Sequence, residues 1–259
     1  MLYRIDDPDT FKRANLSTWK DNTAFWLQGK MRHLVDLNEF MARLLDRELL
    51  DRRSEDGTVV DVGCGEGWVL RSLRSRSQSC TYIGLDFNDA IISALKDRHA
   101  DDPNVTFLLH DIEGPPPPTL LGRADLVVCC FSLFEMPRLE EAIASLASLL
   151  NRDGRILVLS IEPLAQLIAI SRNWEDLHAN LAQYQLLGSH AGYDKDIDVG
   201  AIGSGRIYRG ILYSPADYVR AAAESDLVVH SIDRIVCTAN RVPQVYDAIV
   251  WRPGGNGRE

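Results

Sequence analysis

The chain has 259 residues, 46% of them hydrophobic and 25% charged, which suits one domain with appendages and excludes a pair of full catalytic domains. Its formal net charge of −9, with basic residues spread along the chain, opposes attraction to phosphate backbones and excludes a polynucleotide as the expected substrate. Five cysteines (Cys64, Cys80, Cys129, Cys130 and Cys237) lack C-x-x-C spacing or a neighbouring histidine pair, so neither a disulfide framework nor a metal site is expected.

Met1 to Pro8 lacks the apolar stretch of a signal peptide, and no later run is long enough to span a bilayer; the expectation is a soluble cytoplasmic protein. Trp19 and Trp26, one heptad apart, indicate a short helix. Leu34, Leu37, Phe40, Met41, Leu44 and Leu45 recur at three- and four-residue steps, which predicts an amphipathic helix over about 31–50. From Val59 to Gly67 an apolar run stops at an acid and passes into glycines at alternate positions, so a strand ends in a ligand loop, and Trp68 to Leu73 opens a helix.

Apolar runs and helical patterns then alternate. Thr81 to Asp86, Val105 to Leu109 and Ala124 to Cys130 read as strands, and Asp89 to His99 and Leu139 to Leu150 as helices. Asp153-Gly154 is expected to make a turn before a buried strand from Arg155 to Ile161, and the four consecutive prolines from Pro115 to Pro118 form an extended connection. A parallel sheet with right-handed crossovers follows, its strands' carboxyl ends on one edge. Pro163 starts a helix or broken pair of helices carrying Leu164, Leu167, Ile168, Leu177, Leu181 and Tyr184. Gly188, Gly192, Gly200, Gly203 and Gly205 predict a mobile loop; Pro215 to Glu224 reads as a helix, Leu227 to Val236 and Tyr246 to Trp251 as strands, and 254–259 as a disordered tail.

The glycine spacing separates two readings of the loop. A dinucleotide fingerprint requires G-x-G-x-x-G with a small third residue, whereas position 68 is Trp and the third glycine comes one residue early. Asp61-Val62-Gly63-Cys64-Gly65-Glu66-Gly67 instead resembles the D-x-G-x-G-x-G loop of the class I S-adenosylmethionine-dependent methyltransferases, with good motifs over 57–162. The resemblance implies an α/β fold: a Rossmann-like, doubly wound seven-stranded sheet, mostly parallel with an antiparallel last strand, plus an N-terminal helical cap. It divides a single methyltransferase domain, 1–259, into a cap (1–50), a cofactor-binding core (57–162), a helical and loop insertion over the substrate site (163–213), the C-terminal part of the sheet (214–252) and a tail (253–259).

The cofactor implied is S-adenosylmethionine, with S-adenosylhomocysteine as product. By resemblance Asp61, Gly63, Cys64, Gly65 and Gly67 form its loop, Asp86 grips the ribose, Phe87 lies against adenine, Asp111 and Ile112 receive the adenine edge, and Cys130 and Phe131 run beneath the methionine part. Family members often carry a histidine pair after the fourth strand, where this chain has Leu133-Phe134-Glu135-Met136.

Methyl transfer needs a nucleophile aligned behind the methyl carbon and water excluded; proximity alone can supply about 7–11 kcal/mol. An oxygen acceptor would gain from a general base, and the candidates are His178, His190, Tyr193 and Glu135. Aromatic lid candidates are Trp19, Phe25 and Trp26, with Met31, before the core, and Trp174, Tyr184, Tyr193 and Tyr208 after it; Trp19, Trp26, Phe134, Tyr184 and Tyr193 are the expected substrate contacts. Together they favour a small aromatic or apolar acceptor, methylated on oxygen, nitrogen or carbon. No membrane partner is expected, and exposed apolar cap helices would suit a homodimer. Alternatives are a non-methylating use of the same cofactor, in cyclisation or rearrangement, a noncatalytic subunit that retains the pocket, and, last, a dehydrogenase.

Overall fold

The alternation read from 57 to 162 assembles, in the computed structural model, into one end of a seven-stranded sheet. The structure describes residues 1–27, 35–51, 56–197, 206–237 and 244–255. Strand β1 is Tyr3–Arg4, β2 Thr58–Val62, β3 Thr81–Asp86, β4 Val105–Leu109, β5 Ala124–Cys130, β6 Leu150–Ile161, β7 Ala191–Ile197, β8 Arg206–Ile211, β9 Leu227–Cys237 and β10 Gln244–Pro253. Helix α1 is Pro8–Asp21, α2 Thr23–Trp26, α3 Val35–Leu45, α4 Trp68–Arg74, α5 Asp89–Arg98, α6 Leu139–Leu149, α7 Pro163–Ile170, α8 Trp174–Leu187 and α9 Pro215–Glu224.

The large sheet has the order β4-β3-β2-β5-β6-β10-β9. Strands β4, β3, β2, β5 and β6 pair in parallel, and β10 is antiparallel to both of its neighbours, so the expected fold class is the one observed. The chain order reverses between β2 and β5, and a ligand crevice forms at such a switch point. Strands at the middle of this sheet are covered on both faces, which explains their continuous Val, Leu and Ile runs: Val59, Val60, Leu126, Val127, Val128, Ile156, Leu157 and Val158 are all fully buried.

Local chemistry fixes the helix starts. Asp7 accepts from the Asp9 backbone N–H at 3.0 Å ahead of Pro8, Asn88 accepts from Ala90 N and Ile91 N at 3.1 and 3.3 Å, and Ser214 and Asp217 form a reciprocal capping box. At the far edge Arg234 and Asp247 face each other across β9 and β10, and the guanidinium donates to both carboxylate oxygens at 2.6 and 2.9 Å. Such a bidentate cross-strand pair pins register.

Two expectations differ from the structure. Asp153-Gly154 does not turn: β6 starts at Leu150, paired to Ala124, and passes through Gly154 with a register shift against β5. A Cβ on Gly154 would meet the Ala124 carbonyl at 2.6 Å, so the glycine permits close backbone approach rather than reversal. The stretch read as a mobile loop from Gly188 contains β7 and, past 198–205, which lie outside the described residues, β8; with β1 these form a second, three-stranded sheet. The amphipathic helix predicted from residue 31 is described as α3, from Val35 (28–34 lie outside the described residues), and closes in a π turn at Asp46–Leu50 that buries Glu48 against Arg47 and Arg155. The Pro163 segment is a broken pair, α7 and α8, as expected. In the tail, Gly254 donates to the Asp226 carbonyl at 2.7 Å, and 256–259 lie outside the described residues. All five cysteines are buried thiols.

Candidate active site

The glycine loop is sewn to the neighbouring strand by backbone bonds. Gly63 N and Cys64 N both donate to the Leu85 carbonyl, at 2.8 and 3.0 Å, and Gly67 N closes on Cys64 O at 2.9 Å. Gly63, Gly65 and Gly67 all have positive φ, between +49° and +80°, a region that side chains with a Cβ resist. At Gly63 there is a second constraint: a Cβ there would stand 2.1 Å from Ser132 Oγ. The chain after β5 is thus packed directly on the loop after β2.

Asp86, at the end of β3, is the hinge of this arrangement. Its Oδ2 accepts from Gly65 N at 3.0 Å and its Oδ1 from Asn88 N at 2.9 Å, while burial pushes its pKa up. A cleft of about 670 Å³ opens over these groups. Gly63, Gly65, Asp86 and Phe87 line it on one side, Asp111 and Ile112 at the end of β4, and Phe131 and Glu135 beyond β5. The residues expected from four separate strand ends therefore meet in one cavity.

Other expected residues support the loop without lining the cleft. Asp61 is buried behind it, accepts from Tyr82 Oη at 2.5 Å, and is pushed up to about 7 by burial, with the neighbouring Asp86 adding to the shift against the tyrosine bond. Cys64 points into the core beside Gly84, and burial raises the thiol well above its ordinary value. Gly67 caps α4, and Cys130 is a buried β5 thiol. Phe131 turns the chain at φ +57°, unusual for a bulky residue, while its ring stacks on Trp68 at 6.0 Å and meets Tyr246 edge-on at 5.2 Å.

The base candidates separate cleanly. Glu135 lines the cleft and accepts from the Trp19 indole N–H. His178 is exposed on α8, edge-to-face with Trp174 at 6.3 Å; His190 faces a neighbouring hollow beside Arg4 and Pro137; Tyr193 is buried, its hydroxyl against Gly210. Among the expected substrate contacts, Trp19 lines the cleft, Phe134 is buried in the main core, and Tyr184 packs with Leu2, Leu167 and Tyr193 beneath α8. Met31 and the side chains of Phe25, Trp26 and Tyr208 lie outside the described residues.

Trp19, read from the sequence as a lid residue, belongs to a roof whose other members the sequence reading did not name. Lys12, Asn15, Leu16 and Trp19 of α1 all line the cleft, and their spacing of three, four and seven residues is the signature of one helix face. Asn15 Nδ2 donates to the Arg209 carbonyl of β8 at 3.2 Å, and Asn88 Nδ2 reaches Thr23 Oγ1 at 2.9 Å and the Trp19 carbonyl at 3.3 Å. Lys12 Nζ sits 2.6 Å from Asp111 Oδ2 and also meets Glu113. Burial lowers the lysine's basicity, but the hydrogen bonds to the two acids outweigh it and the net shift is upward. His110 lines the same wall; its Nε2 is buried with no hydrogen-bond partner among the described residues, and burial, opposed by Asp111, favours the neutral ring.

An S-adenosyl cofactor fits this set of groups: loop glycines at positive φ, strand-end carboxylates at two corners, an aromatic face at Phe87 and an unsatisfied imidazole nitrogen in the wall. Residues 59–154 match the family described as a methyltransferase domain. A malonyl-[acyl-carrier protein] O-methyltransferase of Halalkalibacterium halodurans is 25% identical over 138 residues, covering 53% of this chain and 49% of the relative. A polyketide methyltransferase of Ustilaginoidea virens is 31% identical over 130 residues, covering 47% of this chain and 28% of the relative. The match thus spans about half the length of the first curated relative and less of the second. Among solved structures, the Burkholderia thailandensis 1,6-didemethyltoxoflavin-N1-methyltransferase with bound S-adenosylhomocysteine has a similar fold, with a TM-score of 0.60 at 14% identity over 98% of this chain and 95% of that one. The loop, the strand-end acids and the sheet order thus agree with the match of residues 59–154 to a methyltransferase domain, on a fold similar to that of S-adenosylmethionine-dependent methyltransferases.

Proposed function

We propose that the chain binds S-adenosylmethionine in the α1-roofed cleft and transfers its methyl group to an O, N or C atom of a small aromatic or apolar metabolite, as in secondary metabolism. The observation that carries this reading is the Gly65 N–H bond to Asp86, which places the loop and a carboxylate on the rim of a cleft that Asp111 also lines. Both curated relatives named above are methyltransferases, one of a carrier-bound acyl group and one of a polyketide, which supports a small acceptor.

Bound cofactor supplies an electrophilic sulfonium methyl. The chain's own work is positioning: Asp86 to accept from ribose hydroxyls, Asp111 and Ile112 to meet the adenine edge, Phe87 to offer an apolar face, and Gly63 and Gly65 to let the backbone approach closely. Glu135 is the base we assign to an acceptor that must lose a proton, because it is the candidate that lines the cleft. Trp19 fixes that carboxylate by hydrogen bonding, and Leu16, Met136 and Phe131 give the surrounding wall apolar character that helps exclude water. The whole chain acts as one methyltransferase unit in the cytoplasm, in an assembly compatible with a homodimer. Among the described residues no helix is long and apolar enough to cross a membrane.

Isothermal calorimetry with S-adenosylmethionine, S-adenosylhomocysteine and NADH tests the reading. Binding of the first two alone supports it; NADH binding without them overturns it. Turnover that yields no S-adenosylhomocysteine would replace methylation by a rearrangement or cyclisation.

A further inference from the structure

The N-terminal helix does more at the cleft than cover it. Lys12 Nζ bridges two carboxylates that follow β4: Asp111, whose side chain is 43% exposed toward the cleft, and Glu113, whose side chain is 2% exposed. Glu113 is itself held, its Oε1 accepting from Arg138 N at 3.0 Å, and its backbone N–H donates to Asp111 Oδ1 at 3.2 Å. Asp111 therefore has one oxygen fixed by an amide and the other by the ammonium. Each carboxylate oxygen can accept a further bond. Without Lys12, two carboxylates now joined by a single ammonium would face each other across a few ångströms, one of them buried, and their repulsion would turn the exposed one away.

We propose that Lys12 is a positioning residue for recognition of the cofactor base: it holds the Asp111 carboxylate aimed into the cleft, so that selectivity for a 6-amino purine depends on a residue outside the matched domain. This rests on the reading of Asp111 as the adenine acceptor. A fixed carboxylate acceptor welcomes an amino group and rejects a 6-oxo purine, whose carbonyl oxygen would oppose it; sites built for a hydrogen-bond donor discriminate strongly against its absence.

The test compares S-adenosylhomocysteine with S-inosylhomocysteine by calorimetry on the full chain. The wild type should prefer the adenosyl compound. Lys12→Met should weaken adenosyl binding about tenfold while leaving inosyl binding nearly unchanged, and Lys12→Arg should restore most of the preference. In an Asp111→Asn background, Lys12→Met should have little further effect, because the lysine acts through that acid. The double variant Lys12→Met/Glu113→Gln removes bridge and repulsion together and keeps the test meaningful if the single variant unfolds; it too should lose selectivity. A folded double variant with wild-type preference, or tighter adenosyl binding by Lys12→Met, would overturn the proposal while the cofactor reading stands. Failure of the wild type to bind either compound would overturn both.

Discussion

Asp86 spends both of its carboxylate oxygens on backbone N–H groups, Gly65 at 3.0 Å on the neighbouring loop and Asn88 at 2.9 Å on its own. A carboxylate needed only for a ligand would not also have to be the clasp between two loops. Asp86→Asn leaves an amide N–H₂ facing one of these donors. It should cost about 1–3 kcal/mol of stability and reduce S-adenosylhomocysteine affinity by about a hundredfold, and Asp86→Ala should abolish binding. Calorimetry beside urea unfolding separates the two effects; unchanged affinity in Asp86→Ala sinks the assignment.

The loop glycines should respond differently to alanine. Gly63→Ala adds a Cβ 2.1 Å from Ser132 Oγ at φ +69°, so it should lose several kcal/mol of stability as well as cofactor affinity. Gly65→Ala has φ +49°, but the nearest atom to the added Cβ, the Gly63 carbonyl oxygen, is 4.0 Å away, so its stability cost should be about 1 kcal/mol at a position on the cleft wall. Equal melting temperatures for the two variants would show that the close packing of Gly63 on Ser132 is not felt.

Asp61 gives a pH signature distinct from the cleft. Burial raises it from 3.8 to about 7, so the folded state holds a proton that the unfolded chain releases. The contribution to stability is full below pH 3.8, falls as pH rises through 7, and is flat beyond. Asp61→Asn cannot ionise but can still accept from Tyr82. Its stability relative to wild type should therefore grow by a few kcal/mol between about pH 4.5 and 7.5 and then level off. Urea unfolding at matched pH values checks this, and a gap that does not change with pH refutes it.

At the chemical end, Glu135→Gln should lower single-turnover methyl transfer to a hydroxyl acceptor by about 10²–10⁴-fold with S-adenosylhomocysteine affinity nearly unchanged. His178→Ala, on the exposed face of α8, should alter turnover and stability little, within about 0.5 kcal/mol for the latter. A large loss in His178→Ala with wild-type rates in Glu135→Gln would exchange the two assignments.

What the sequence made legible were the features written locally. Asp61, the three glycines, Asp86 and Asp111 announce themselves because each sits at the end of an apolar run, and strand ends in a parallel sheet share one edge. The roof was not legible in the same way: the reading used Trp19 and Trp26 to define the first helix, yet the face that meets the cleft is Lys12, Asn15, Leu16 and Trp19, and only long-range packing tells which face turns inward. The β7–β8 hairpin was hidden by its glycines. Gly210 is there because the Tyr193 ring lies against it, a cross-strand contact between residues that pair in register, while the same glycine in isolation reads as a breaker. Gly154 misled for the same reason, being a site of strand contact.

The Asn15 bond to the Arg209 carbonyl joins the first helix to a strand near the other end of the chain, separated by 194 positions. Grafting the matched core alone onto another scaffold would carry over the loop and both strand-end acids, yet leave behind Lys12 and Trp19 together with Phe11, which belongs to the main apolar cluster. Such a transplant should make an open groove with a ribose clasp and no ceiling. Changing what the protein accepts would then mean editing both chain ends in concert, because the wall that meets the acceptor is assembled from pieces that are neighbours only after folding.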